Sequence, residues 1–337
     1  MKPATAHFTS SFIFAVIAVL IAFPVGGLKA VATVVFLGVL ETSLSFDNAV
    51  VNATVLSGWN DVWRRRFLTW GMVVAVFGMR AVFPLVIVGL AGQLGPIEAV
   101  DLAINDPKRY GEILASAHHQ IGAFGGAFLM MVFFKFFVAR HKTDHWVAAI
   151  ERPLTRLGKM EAIEGALTLM ILLGAAQMLD GQERAEFVVA GVWGVIVFIL
   201  VKGLASLLGG DEAEGAHQAV KQGIGGFLYL EVLDASFSFD GVIGAFAMTN
   251  NLLIIVLGLG VGAMFVRSFT LLLVERGTLA TYRYLEHGAF WAIGALATVM
   301  LVGVSMHIPE AVTGLVGAAL IVMSLGSSIR ANRRAKS

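Results

Sequence analysis

Two short acidic stretches hold the residues whose types and spacing could do chemistry. The first reads Glu41-Thr42-Ser43-Leu44-Ser45-Phe46-Asp47-Asn48, and the second reads Asp234-Ala235-Ser236-Phe237-Ser238-Phe239-Asp240-Gly241. Each has an acid first, serine third and fifth, phenylalanine sixth and aspartate seventh, at one offset of 193 (41 to 234, 47 to 240). Both lie inside apolar runs, and Glu231 stands just before the second. A carboxylate near the middle of a bilayer costs about 2.5 to 3.5 kcal/mol, so Glu41, Asp47, Glu231, Asp234 and Asp240 together cost about 12 to 17 kcal/mol. That rivals the whole stability of an ordinary domain, about 5 to 15 kcal/mol. Bound protons, arginine partners or a metal cation must offset it.

On an ideal helix Glu41, Ser45, Asn48 and Asn52 share one face, while Ser43 and Asp47 share another about 120° away. One straight helix cannot aim both acids at one point, which predicts local unwinding around Leu44 to Asn48 and carbonyl oxygens freed to join the carboxylates. The second copy puts Glu231, Asp234, Ser238 and Gly241 on one stripe, with Asp240 off it. Gly241, where the first copy has Asn48, fits a break or a close helix approach. The set Glu41, Ser45, Asp47, Asn48, Glu231, Asp234, Ser238 and Asp240 is rich in oxygen and contains no histidine, and the chain has no cysteine. Such donors suit a hard divalent cation, whether manganese, calcium or magnesium, whereas zinc or copper would recruit His or sulfur. The competing reading is structural neutralisation by arginine or protons. Duplication of the acids at matched positions argues against it.

Arg80 and Arg267 occupy corresponding apolar segments and are read as tethered counter-charges, structural ion pairing being the alternative. Lys135 is expected to snorkel at a helix end, and His118 and His119 to lie at an interface. The run Asp211 to His217 reads as a solvated loop.

The elements that position these residues follow from composition. The chain has 337 residues, 58% of them hydrophobic and only 14% charged, with a mean hydropathy of +0.82. A soluble domain carries about 25% charged residues, so an all-α, polytopic transmembrane bundle is expected. The net charge of +1 offers no electrostatic case for nucleic acid. Absence of cysteine removes thiolate metal sites, iron–sulfur clusters and a cysteine nucleophile. The apolar run Phe12 to Phe23 lacks a small-x-small cleavage site and is expected to be a retained span rather than a signal peptide.

Hydropathy predicts ten spans, near 10–28, 30–56, 68–90, 119–139, 162–179, 186–207, 222–248, 251–274, 287–306 and 308–328. That topology puts 17 Lys and Arg on the side of both termini and four on the other, with Arg80, Lys135 and Arg267 inside spans. The bias places both termini and the 140–161 loop in the cytoplasm, in what is expected to be a bacterial inner membrane. Further pairs extend the repeat: Arg80 with Arg267, Gly122-Ala123-Phe124 with Gly288-Ala289-Phe290, and Glu161-Ala162 with Glu310-Ala311. Residues 1–180 and 181–337 are therefore expected to form a 5+5 inverted repeat, in which the second and seventh spans run antiparallel and bring the acidic motifs together.

At Glu41-x-x-x-Ser45-x-Asp47-Asn48-Ala49 and Asp234-x-x-x-Ser238-x-Asp240 the chain resembles the TerC family, integral membrane proteins linked with tellurite resistance and manganese export. The likeness covers residues from about 30 to 328, and the arginine after each motif strengthens it. It implies manganese efflux, with Glu41, Asp47, Asn48, Asp234 and Asp240 as carried-over site residues. The chain departs from shorter family members in its added spans and its long 91–117 and 140–161 connections, as a divergent branch would. The expected function is secondary transport of the metal as substrate, by proton-coupled alternating access in the lipid bilayer, and not enzymatic turnover. No Walker-type phosphate loop is present to use ATP. Two rivals are an intramembrane aspartyl protease using Asp47 and Asp240, and a non-transporting protein that delivers metal to, or scaffolds, others.

Overall fold

The computed structural model describes residues 4–139, 144–208, 223–303, 308 and 310–334. Within them the helices are α1 Ala4–Leu44, α2 Phe46–Ser57, α3 Asp61–Arg66, the π-helical segments π1 Phe67–Gly71 and π2 Val74–Val82, α4 Phe83–Ala91, α5 Pro96–Asn105, α6 Pro107–Ser116, α7 His118–Phe137, α8 Ala148–Leu157, α9 Ile163–Ala176, α10 Gly181–Leu208, α11 Ile224–Met248, α12 Leu252–Glu275, α13 Thr278–Thr281, α14 Leu285–Val302 and α15 Glu310–Arg334. Among the described residues there is no strand. Seven helical stretches among the described residues are long and apolar enough to cross a membrane, and α9 is a shorter apolar helix. Large apolar side chains such as Leu20, Leu28, Trp70 and Leu200 point outward, as lipid-facing residues do. The chain is a multi-pass, all-helical membrane protein.

The first two expected spans are joined without a loop, and the chain reverses where they meet inside α1. Gly26 and Gly27 leave helical geometry, Gly27 at φ 61° and ψ −151°, a backbone region essentially reserved for glycine. The contacts on α12 register the reversal. Before the glycines, His7 lies 3.5 Å from Glu275, Ser11 bonds Ser268 at 2.7 Å and Phe14 packs against Gly260. After them, Leu37 meets Gly258, Glu41 meets Gly262 and Ala49 accepts from Thr270 at 3.4 Å. One arm of α1 therefore runs antiparallel to α12 and the other parallel to it.

The connection over 91–117 is a capped helical hairpin. Pro96 and Pro107 open α5 and α6 at positions where the missing N–H costs nothing. Glu98 accepts from the Gly95 amide at 2.9 Å, and Asp106 accepts from the Arg109 amide at 3.2 Å. The hairpin packs on α4 and α11 at the end of the bundle away from Arg64, Arg65, Arg66 and Arg276. The 144–158 segment, with α8, docks at the opposite, basic end against α7 and α14.

Candidate functional site

The break expected in the first motif is confined to one residue. Ser45 leaves helical geometry at φ −97° and ψ 20°, yet its N–H still donates to Glu41 O at 2.9 Å and its own carbonyl accepts from Ala49 N at 3.3 Å. The predicted unwinding over Leu44 to Asn48 is corrected to a kink. The ladder survives because Ser45 is the only residue displaced. The second motif lies within the uninterrupted α11, so Gly241 serves a close approach and not a break. A Cβ there would lie 2.9 Å from Glu41 Oε2.

The two motifs cross antiparallel. Glu41 faces Gly241, and two turns onward Asn48 Nδ2 donates to Asp234 Oδ1 at 2.5 Å. Between them lies a cavity of about 30 Å³, lined by Glu41, Ser45, Asn48, Asn52, Arg80, Glu231, Asp234, Arg267 and Thr270 and floored by π1 and π2. That is room for about two water molecules.

Arg80 sits at the centre, 2% exposed. Its Nη2 donates to Glu41 Oε1 at 2.5 Å, and its Nη1 donates to Ala75 O at 2.5 Å and lies 3.9 Å from Asp234 Oδ2. The π-helical winding of Val74–Val82 aims it: five-residue turns place Arg80 over Ala75 and toward α1, a geometry that recurs at functional sites. A methylated residue at 262 would collide with Glu41 Cγ, so glycine lets α12 come close enough for the carboxylate to lie between helices.

The remaining polar surface is dominated by acceptors without donors. Both Glu231 oxygens, Asp234 Oδ2, Asn48 Oδ1 and Asn52 Oδ1 are buried with no hydrogen-bond partner, alongside the single unpartnered donor Arg80 Nε. Glu231 is 5% exposed and points at Gly71, whose added Cβ would lie 2.7 Å from Glu231 Oε1. Buried acceptors of this kind each forfeit a bond they make in water, a cost that a cation removes. No group of three or more His, Asp or Glu stands in ready metal-binding geometry among the described residues. Arg80 is the cation between Glu41 and Asp234 in this arrangement.

Other residues singled out from the sequence sit elsewhere. Asp47 is buried outside the cavity, where its Oδ1 accepts from Asn48 N at 2.9 Å in the first turn of α2. Ser238 is buried and does not line the cavity. The side chain of Asp240, and the run Asp211 to His217, lie outside the described residues. Arg267 reaches the cavity wall, but donates to Leu68 O at 2.6 Å and Ser10 Oγ at 3.3 Å. Among the described residues no carboxylate lies within ion-pair distance of it. Lys135 does not snorkel; it bonds Glu164 Oε1 at 2.9 Å, bridging α7 and α9.

Asn52 lines the cavity one turn beyond Asn48, on the stripe that its spacing predicts. Glu151 carried no signal at all. This residue of α8 is 0% exposed and accepts from Trp146 N, Val147 N, His287 Nδ1 and Trp291 Nε1 at 2.9 to 3.1 Å. Burial alone would raise its carboxyl, but the hydrogen bonds from His287, Trp291 and the Val147 amide overcome that and hold it at about 2.

Compared with known proteins, residues 46–335 match the family described as "Protein of unknown function (DUF475)". No curated protein and no solved structure matches the chain. The matched region contains the whole second motif, Arg80, Asn48 and Asn52, whereas Glu41 and Ser45 precede it.

Proposed function

The chain belongs to the DUF475 family, and from that premise and the geometry of its polar cavity we propose that it is a secondary transporter of a hard divalent cation. The observation that carries this reading is the set of five buried acceptor oxygens without donors, from Glu231, Asp234, Asn48 and Asn52, around a space of about 30 Å³. A cavity lined by unpaired acceptors is complementary to a cation. One with room for about two waters admits a largely dehydrated ion and excludes a peptide. This weighs against the intramembrane protease, as does the position of Asp47 outside the cavity.

Arg80 gives the exchange its chemistry. With no ion bound, its guanidinium compensates Glu41 and Asp234 across the α1–α11 crossing. An entering divalent ion competes for those oxygens and gains Glu231, which no protein donor engages. Asn48, bonded to Asp234, holds that carboxylate toward the crossing. Glu41, Ser45, Asn48, Glu231 and Asp234 are the ligands proposed on this geometry. Asp47 and Ser238 are proposed only as supports of the two helices, and Asp240 stays a proposed ligand on the strength of the sequence motif.

The ten-span, 5+5 inverted repeat belongs to the same proposal, as do a plasma-membrane location and cytoplasmic termini. The antiparallel register of Glu41 with Gly241 and Asn48 with Asp234, together with the chain reversal at Gly27, supports it. Two inverted halves around one site provide two exchangeable conformations. Manganese leads among the candidate ions through the resemblance to TerC, with protons as the counter-transported species. Flux of manganese(II), calcium and magnesium into proteoliposomes, with and without a pH gradient, tests the proposal. Absence of flux for all three, with binding retained, would favour metal delivery without transport.

A further inference from the structure

The polar cavity extends in one direction only. From Glu41 it continues along Ser45, Asn48 and Asn52 of α2, beside Thr270 of α12 and Phe67 of π1. All of these lie toward the end of the bundle that carries Arg64, Arg65, Arg66 and Arg276. In the other direction the next residues are apolar and closed. Leu37, one turn before Glu41, joins Val242, Ala245, Ile255, Leu259 and Val88 in one buried cluster, and Tyr110 of α6 completes it.

Tyr110 is 0% exposed. Its ring lies 5.5 Å from that of Phe246, and its hydroxyl is buried with no hydrogen-bond partner. A phenol sealed among aliphatic side chains forfeits the bonds it makes in water. The residue behind it, Gly111, lies against Phe246, where an added Cβ would stand 3.4 Å from the ring. The contact is therefore close-packed. Both helices of the α5–α6 hairpin carry their own N-terminal caps, which lets the unit move as a body without unwinding.

We infer that the α5–α6 hairpin is the gate at the end of the ion path remote from the basic face, with Tyr110 as its plug. This rests on the transport reading for the nature of what passes. In the structure the path is sealed at the hairpin end by that apolar layer. An ion held at Glu41 and Asp234 cannot cross the Leu37, Val242 and Tyr110 layer, because one phenol hydroxyl among aliphatic side chains does not replace its hydration. Passage requires the hairpin to lift from α11. The unpartnered Tyr110 hydroxyl lowers the cost of lifting, since it regains water when exposed.

The chain has no cysteine, so one introduced thiol reports access. With Ala245→Cys, 1% exposed within the apolar layer, labelling by a membrane-impermeant maleimide is measured from each side of reconstituted vesicles. Labelling from the hairpin side is expected to be slow, to accelerate on adding manganese(II), and to be faster by more than about tenfold in a Tyr110→Ala background, because loss of a buried aromatic weakens the packed state. Tyr110→Phe keeps the plug and removes the unpartnered hydroxyl, so it is expected to label no faster than the parent and to melt higher. Equal, slow labelling in the parent and Tyr110→Ala backgrounds overturns the gate. So does fast labelling in Tyr110→Phe, which also serves if Tyr110→Ala does not fold. Accelerated labelling in Tyr110→Ala without cation flux in any variant would uphold the gate and overturn the cation reading.

Discussion

Arg80 and Glu41 are joined by a 2.5 Å ion pair in which both side chains are about 3% exposed, so π2 and the kinked end of α1 are held together by opposite charges removed from water. Breaking such a pair by deleting one partner costs roughly 3 to 5 kcal/mol, because the other charge stays buried. Arg80→Gln is therefore expected to lower the melting temperature in chelator. If a divalent ion takes the vacated place, manganese(II) will restore it. Thermal unfolding with and without the ion decides this, and an unrestored Arg80→Gln would mean that no cation substitutes for the guanidinium.

Glu231 differs from Arg80 in having no partner to lose. Glu231→Gln removes a buried carboxylate that no donor engages, so it is expected to raise thermal stability while abolishing manganese(II) flux. Asp234→Asn is expected to abolish flux as well. A Glu231→Gln protein that transports at the parental rate would remove Glu231 from the site.

Gly71 tests the same carboxylate through space alone. A Cβ at Gly71 would stand 2.7 Å from Glu231 Oε1, so Gly71→Ala must displace that side chain. Overpacking of this kind costs roughly 1 to 3 kcal/mol. Calorimetry in detergent is expected to show weaker manganese(II) binding with the helical content unchanged.

Asp47 provides the contrast. It lies outside the cavity and accepts the Asn48 amide, a role that asparagine's carbonyl oxygen can fill. Asp47→Asn is expected to bind manganese(II) within about threefold of the parent, less than about 1 kcal/mol. Loss of binding as complete as in Asp234→Asn would return Asp47 to the ligand set.

Glu151 sets the acid limit of the α8 docking. Its carboxyl is held at about 2 against an ordinary value of 4.5. A group depressed on folding contributes stability that is present above its unfolded pKa and is lost as pH falls through the folded one. The contribution is therefore full at neutral pH and fades from about pH 4.5 down to about 2. Fluorescence of Trp146 and Trp291, both bonded to Glu151, is expected to stay constant from about pH 5 to 8 and to change below that window. In Glu151→Gln, limited proteolysis is expected to cut near Trp146 at neutral pH.

Much of this protein follows from the chain alone. Hydropathy, the recurrence of Glu41 to Asn48 in Asp234 to Gly241, and the Asn48 and Asn52 continuation of one helical stripe are local properties, set by residue type and the 3.6-residue period. They made the helical membrane class and the principal acids legible. Tertiary structure decided which of those groups face one another. The Asn48 to Asp234 bond spans 186 positions, and the choice of Arg80 over Arg267 as the partner of Glu41 depends on the π-helical winding of Val74–Val82, which no motif announced. Asp47 and Asp234 are equally acidic in sequence. Asp47 accepts the next amide in the first turn of α2 on the face turned away from the crossing, whereas Asp234 of α11 faces Asn48 across it. Glu151 was illegible for the same reason: its partners His287 and Trp291 lie 136 and 140 positions away, and only helix packing brings their donors to a carboxylate that sequence places in a basic loop.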